Sequence, residues 1–204
     1  MKKELSMVLK YASLWGIAEA SLGYILHAIA LITGIRNISG FIMFPIGLFF
    51  MLLAYRETGK ENSILYTGLF AGMIKLTDLF IPGLPKGATI NPAMAIVLES
   101  GVIFGGIRYL KPRFAFHLPV LSSTWRIGFI LLLSISPFSK GILSKGHMEI
   151  LYFVFVEGII SGLLCVPVYR WINTQRKPRI KLNPELIPFV FVMAILAEFI
   201  FKIL

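Results

Sequence analysis

Seven stretches of the 204-residue chain are long and apolar, and short polar or glycine- and proline-bearing segments separate them. A membrane-crossing helix takes roughly 20 mostly apolar residues, with a range of about 17 to 25. On that measure the pattern predicts spans over 11–33, 41–55, 64–82, 92–109, 119–137, 150–171 and 188–204. The first, fourth, sixth and seventh are clear. The second is short, but its core from Phe41 to Tyr55 is strongly apolar. The fifth is the weakest, because Ser122, Ser123, Thr124 and Arg126 precede its apolar run. Pro82, Gly83, Pro85 and Gly87 predict an irregular loop over 82–91. At its end Asn91-Pro92 is placed to start the fourth helix, with proline at the first helical position, and Asn183-Pro184 is placed to do the same for the seventh. The expected fold is all-α: a polytopic membrane helix bundle forming a single transmembrane domain over 1–204, with about seven spans, or six if the fifth stretch does not cross.

Composition agrees with a lipid environment. Apolar residues make up 57% of the chain and charged residues 15%, where about 25% charged is usual for a soluble domain. One soluble core of this size could not hide so much apolar surface, whereas lipid accepts it. The formal charge of +10 would raise nucleic acid as a partner in a soluble protein. Here the basic residues lie between apolar stretches and form no basic helix interleaved with aromatics, so no nucleic-acid partner is expected. Their distribution orients the bundle. If all seven stretches cross, one side holds Lys2, Lys3, Lys10, Arg56, Lys60, Arg108, Lys111, Arg113, Arg170, Arg176, Lys177, Arg179 and Lys181, and the other holds Arg36, Lys86, Lys140, Lys145 and Lys202. Thirteen against five predicts a cytoplasmic N-terminus in a multi-pass protein of the cell membrane. The same count supports the fifth span, since without it the basic run 170–181 would move outside. Glu4 follows Met1-Lys2-Lys3, and the first apolar stretch is too long for a signal-peptide core, so it reads as a retained helix. The single cysteine, Cys165, excludes an intramolecular disulfide and any CxxC motif.

Charge inside the spans changes the picture from architecture to chemistry. A charged residue at membrane depth costs at least about 2.5 kcal/mol on insertion scales, so it calls for a partner or a wet cavity. The spans contain Glu19, Lys75, Asp78, Glu99, Arg126, Glu157 and Glu198, with His27 besides. At 100° per residue Ala12, Gly16, Glu19, Ala20, Gly23, His27 and Ala30 share one face of the first helix. Small residues allow helices to approach closely in lipid, so this is a packing face. The third span groups Gly68, Ala71, Gly72, Lys75 and Asp78, the fourth Ala95, Glu99 and Gly106, and the sixth Glu157, Gly158, Ser161 and Cys165. Lys75 and Asp78, three residues apart, are spaced to neutralise each other. Acids still outnumber bases five to two, so the surplus is protonated, solvated, or matched to a cationic or hydrogen-bonding ligand. The functional expectation is one ligand pocket, reached from the outer side under the 82–91 loop. Its expected binding residues are Glu19, His27, Lys75, Asp78, Asn91, Glu99, Arg126 and Glu157. Glu198, near the chain end, reads as an interface residue. No second histidine lies at ligand spacing from His27, so neither a metal site nor a cofactor is expected.

Two short motifs bring known families into view. Asn91-Pro92-Ala93 is similar to the pore motif of aquaporins. Those channels carry two such motifs and an arginine after the second. Here the other Asn-Pro continues as Glu185, and a helix start accounts for both. The basic N-terminus, the length and the Ala12-x-x-x-Gly16-x-x-x-Ala20 spacing on the first helix together resemble the S components of energy-coupling factor (ECF) transporters. In that family a small-residue AxxxA motif docks on a transmembrane coupling subunit, and the solute binds toward the outer side beneath loops. The resemblance implies a substrate-specificity subunit of a vitamin or micronutrient importer, with Ala12, Gly16 and Ala20 at the partner interface. Gly16 stands where that motif has its middle alanine, and seven spans stand where the family has six. No GxxxxGK[ST] loop is present, so energy would come from partner subunits carrying ATPases. A structural or assembly protein whose buried charges only stabilise the bundle is the alternative. A membrane-embedded enzyme is weaker still, since no GxSxG, HExxH or paired-glutamate motif appears.

Overall fold

A computed structural model describes residues 2–34, 38–136, 141–175 and 180–203. Among the described residues all regular structure is helical, and seven helices are long and apolar enough to cross a membrane. In chain order they are α1 (Lys2–Thr33), α2 (Ile38–Thr58), α3 (Asn62–Leu76, continued by a 3-10 turn over Thr77–Phe80), α4 (Lys86–Leu110) and α5 (Phe114–Ile135). The sixth span is composite. A short α6 (His147–Leu151) passes through a π turn over Tyr152–Glu157 into α7 (Gly158–Thr174). The seventh is α8 (Ile187–Ile203). The weak fifth stretch is thus a full helix.

Several boundaries move outward from the apolar runs. The first helix has 32 residues, about 48 Å at 1.5 Å per residue, and a hydrocarbon layer is about 30 Å thick. Its polar first turns therefore continue the helix beyond the apolar segment. The fourth helix starts at Lys86, and Pro92 lies inside it, which corrects the expected start at Asn91-Pro92. Irregular backbone between the third and fourth spans shrinks accordingly to Ile81–Pro85. A proline at that depth supplies no N–H for the carbonyl four residues earlier, at Ala88. Asn183-Pro184 behaves as expected: the Asn183 side chain accepts a hydrogen bond from the Glu185 N–H at 3.2 Å, and Pro184 opens the turn that leads into α8.

The helices pack as two rows, α1–α2–α7 against α3–α4–α5, with α8 laid on α1 and the edge of α3. Apolar residues surround α2 on every side, the pattern of a helix buried all round. It accordingly touches α1, α3, α4 and α7, and its Phe44, Leu48, Met51, Leu52 and Leu53 meet Tyr11, Trp15, Ile64, Ile103 and Leu118 in the core. Glycines set the closest approaches. A Cβ on Gly47 would lie 2.5 Å from the Trp15 ring, and one on Gly68 would overlap Ser100. Between α5 and α7, a Cβ on Gly158 would overlap Ser123, and one on Gly162 would overlap the Pro119 backbone.

Two polar ends frame this core. At the N-terminal end Lys10 pairs with Glu57, Lys60 with Glu4, and Lys111 with Glu61, while the Tyr11 hydroxyl donates to Glu57 and accepts from the Ile180 N–H. The hydrogen bond to Glu61 holds the exposed Lys111 ammonium above its ordinary pKa. At the opposite end Gly141 and Gly146, at φ of 46° and 95°, bracket a 3-10 turn over Gly141–Lys145. Both lie in the left-handed region that favours glycine.

Candidate functional site

Expected site residues divide between two places rather than meeting in one. The first is a cavity of about 400 Å³ at the end opposite the N-terminus, lined by Ser39, Gly40, Asn91, Pro92, Ala95, Trp125, Phe129, Gly141, Ile142, Lys145, Phe153 and Glu157. Its cover is the Gly141–Lys145 turn, not the 82–91 loop. The expectation of a pocket under 82–91 is corrected because α4 begins early and absorbs most of that segment, leaving Asn91 and Pro92 in the cavity wall.

One wall is aromatic. Trp125 meets Phe129 and Phe153 with ring centroids 6.3 and 6.0 Å apart, and Phe129 meets Phe153 at 6.0 Å. The π turn runs from Tyr152 to Glu157, so both cavity residues of the sixth span, Phe153 and Glu157, lie within it. A π turn adds a residue to the helical repeat and re-aims the side chains around it, and such turns recur at functional sites. Glu157 is fully buried, and its carboxylate lies where a Cβ on Gly40 would come within 2.9 Å, so only glycine leaves it that space.

Arg126 lies behind the cavity wall, next to Gly40 and Trp125. It is fully buried, donates to Ser122 Oγ at 2.7 Å, to the Ser122 carbonyl at 3.0 Å and to the Gly40 carbonyl at 2.8 Å. Its guanidinium lies 4.4 Å from the Trp125 ring centroid and 5.4 Å from that of Phe153. Glu99 on α4 and Glu157 on the sixth span are the carboxylates whose charge acts on it. Among the described residues, two buried polar atoms of the cavity lining, Asn91 Oδ1 and Trp125 Nε1, and Arg126 Nε behind it have no hydrogen-bond partner, although buried polar atoms are normally paired.

The second place lies between α1, α3 and α8. Lys75 pairs with Asp78 at 3.0 Å, as the spacing predicted, and with Glu198 at 2.7 Å. All three are buried, and Glu19 on α1 is half-buried within electrostatic reach of Lys75 and Asp78. Glu19, Lys75 and Asp78 therefore do not line the cavity. Glu198 is a core residue rather than an interface residue. His27 is exposed on α1 and takes part in neither cluster. Ala12, Gly16 and Ala20 are buried within the chain, Ala12 at 0% and Ala20 at 4% exposure, and a Cβ on Gly16 would come within 3.0 Å of Ile74 on α3. The expected partner-docking face is thus covered by the chain's own helices.

Sequence reasoning missed Trp125, Phe129, Phe153, Gly40 and Lys145 as cavity residues. Aromatic residues are common in every span, so only the converging helices single these out. Among the described residues no group of three or more His, Cys, Asp and Glu side chains is arranged to hold a metal ion. No family model, curated protein or solved structure matches the chain.

Proposed function

We propose that this chain is a solute-binding integral membrane protein whose ligand occupies the cavity beneath the Gly141–Lys145 turn. What carries the reading is the combination of an aromatic wall, Trp125, Phe129 and Phe153, with Asn91 Oδ1 and Trp125 Nε1 left without partners among the described residues in a mostly apolar cavity of about 400 Å³. Ligand sites are typically concave, mostly apolar, about 300–1,000 Å³, and carry a few polar groups that orient the ligand. The excess of basic residues at the N-terminal end supports a cytoplasmic N-terminus, which turns the cavity toward the outside of the cell membrane. A small nutrient taken up from outside, with energy supplied by a coupling subunit and its ATPases, fits this placement. Such a subunit would meet a face other than Ala12-Gly16-Ala20, since those residues are occupied within the chain.

A second reading, buried charge as structural glue, is favoured for the other cluster, where Lys75 is already shared by Asp78 and Glu198. The two readings separate experimentally. Native mass spectrometry of the full chain, released from native membranes, should show a bound small molecule. Phe153→Ala and Glu157→Gln should each remove it, while Phe153→Ala keeps the folded helical signal. Wild-type protein that never carries a solute, together with no change in Trp125 fluorescence across a nutrient panel, would overturn the binding reading.

A further inference from the structure

The Lys75 cluster has its own chemistry, independent of the cavity. Asp78 reaches it from the turn that ends α3 and Glu198 from α8, so the single Lys75 ammonium lies between carboxylates of two separate elements. Both acid side chains are 0% exposed. Among the described residues Asp78 Oδ1 and Glu198 Oε1 accept no hydrogen bond, and Asp78 Oδ2 meets the Lys75 ammonium as an ion pair at 3.0 Å. A buried carboxylate oxygen without a donor is the costliest of the polar groups to leave unpaired. Charge points the same way. One ammonium balances one carboxylate, and with all three groups ionised the buried trio carries a net negative charge. The neighbours do not cancel it. Glu19 on α1 adds negative charge from a half-buried position, and Lys202, one turn beyond Glu198 on α8, is exposed. No metal-holding group of side chains exists among the described residues. A proton is the cation that needs no cavity and supplies the missing donor.

We propose that Asp78 and Glu198 together form a proton-binding site, holding one dissociable proton beside Lys75. Binding adds a proton from water to a carboxylate oxygen of the pair. Release reverses the step, with no electron transfer. The two acids act as a unit, so the proton belongs to the pair. Among the described residues α8 packs chiefly on α1, with α3 and the turn after α3 beside it, so the charge state of this trio acts directly on how α8 is seated.

Infrared spectroscopy of the full chain in lipid at neutral pH tests this through the carbonyl stretch of protonated carboxylic acids. The wild type should show one such carboxyl from the cluster. Asp78→Asn and Glu198→Gln should each abolish it, because one remaining acid pairs with Lys75 as a carboxylate. The double variant should remove nothing more. Lys75→Met should instead raise the signal about twofold, since both acids then need protons. Loss in only one of the two single variants, or in neither, overturns the shared site, and the Asn and Gln variants decide it even where Lys75→Met does not fold.

Discussion

Arg126 shows what one side chain does in this bundle. Its guanidinium donates to Gly40 and Ser122, opposes the charges of Glu99 and Glu157, and lies against the rings of Trp125 and Phe153. Removing one partner of a buried ion pair costs about 3–5 kcal/mol, because the remaining charge is left uncompensated. Arg126→Met should therefore lower the thermal midpoint in detergent far more than Arg126→Lys. A lysine keeps the charge but cannot reproduce a planar fork, so the Gly40 carbonyl loses its donor at about 1–3 kcal/mol. Equal midpoints for the two variants would show that charge and fork geometry both matter little here. Arg126, Glu99 and Glu157 were legible in the sequence because ionisable residues in a span stand out against apolar neighbours. Glu198 stood out equally, but its role was not legible: its partner Lys75 lies 123 residues away in the chain, a pairing that only the packing of α8 creates. His27 failed for the opposite reason. It shares the helical face of Glu19 but is exposed while Leu26 beside it is buried, so helical phase alone did not predict burial.

Among the elements, α5 and α7 carry the clearest test of packing. Gly158 and Gly162 bring α7 against α5, and there is no space for a Cβ at Gly162 against the Pro119 backbone. Backbone cannot swing aside as a side-chain tip does, so Gly162→Ala must separate the helices. Overpacking of this kind costs about 1–3 kcal/mol. Gly101 and Gly105 on α4 meet nothing within 4 Å, so alanine there costs no contact. It also restores about 0.8–1.0 kcal/mol of helix propensity. Thermal unfolding should show Gly162→Ala below the wild type and Gly101→Ala at or slightly above it, and the reverse order would contradict the close approach of α5 and α7. Helix existence was legible throughout because lipid demands long apolar runs. The helix ends were not, because polar residues continue a helix as readily as apolar ones, and Pro92 marked a position inside α4 rather than its start.

At the scale of the whole molecule, seven helices are long and apolar enough to cross a membrane, and if all seven cross, residue 181 and the far end of α8 lie on opposite sides. The end that gathers Glu4, Lys10, Glu57, Lys60 and Lys111 is also the one rich in basic residues. Reporters fused after Lys181 and after Leu204 should therefore give cytoplasmic and external signals respectively. What holds α8 in place makes this more than a count of charges. The helix carries Glu198 at a depth where an unpaired charge costs at least about 2.5 kcal/mol, and among the described residues it packs chiefly on α1, with α3 and the turn after α3 beside it. Lys75 is the group that makes Glu198 tolerable there, at 2.7 Å. Lys75→Met should weaken the external signal of the fusion after Leu204, because Glu198 must then take up a proton before α8 can cross. Glu198→Gln should leave that signal at the wild-type level, because the amide removes the charge itself. An unchanged signal in Lys75→Met would show that α8 is seated by its apolar packing alone, through contacts such as Tyr24 with Phe201 at 5.9 Å between ring centroids.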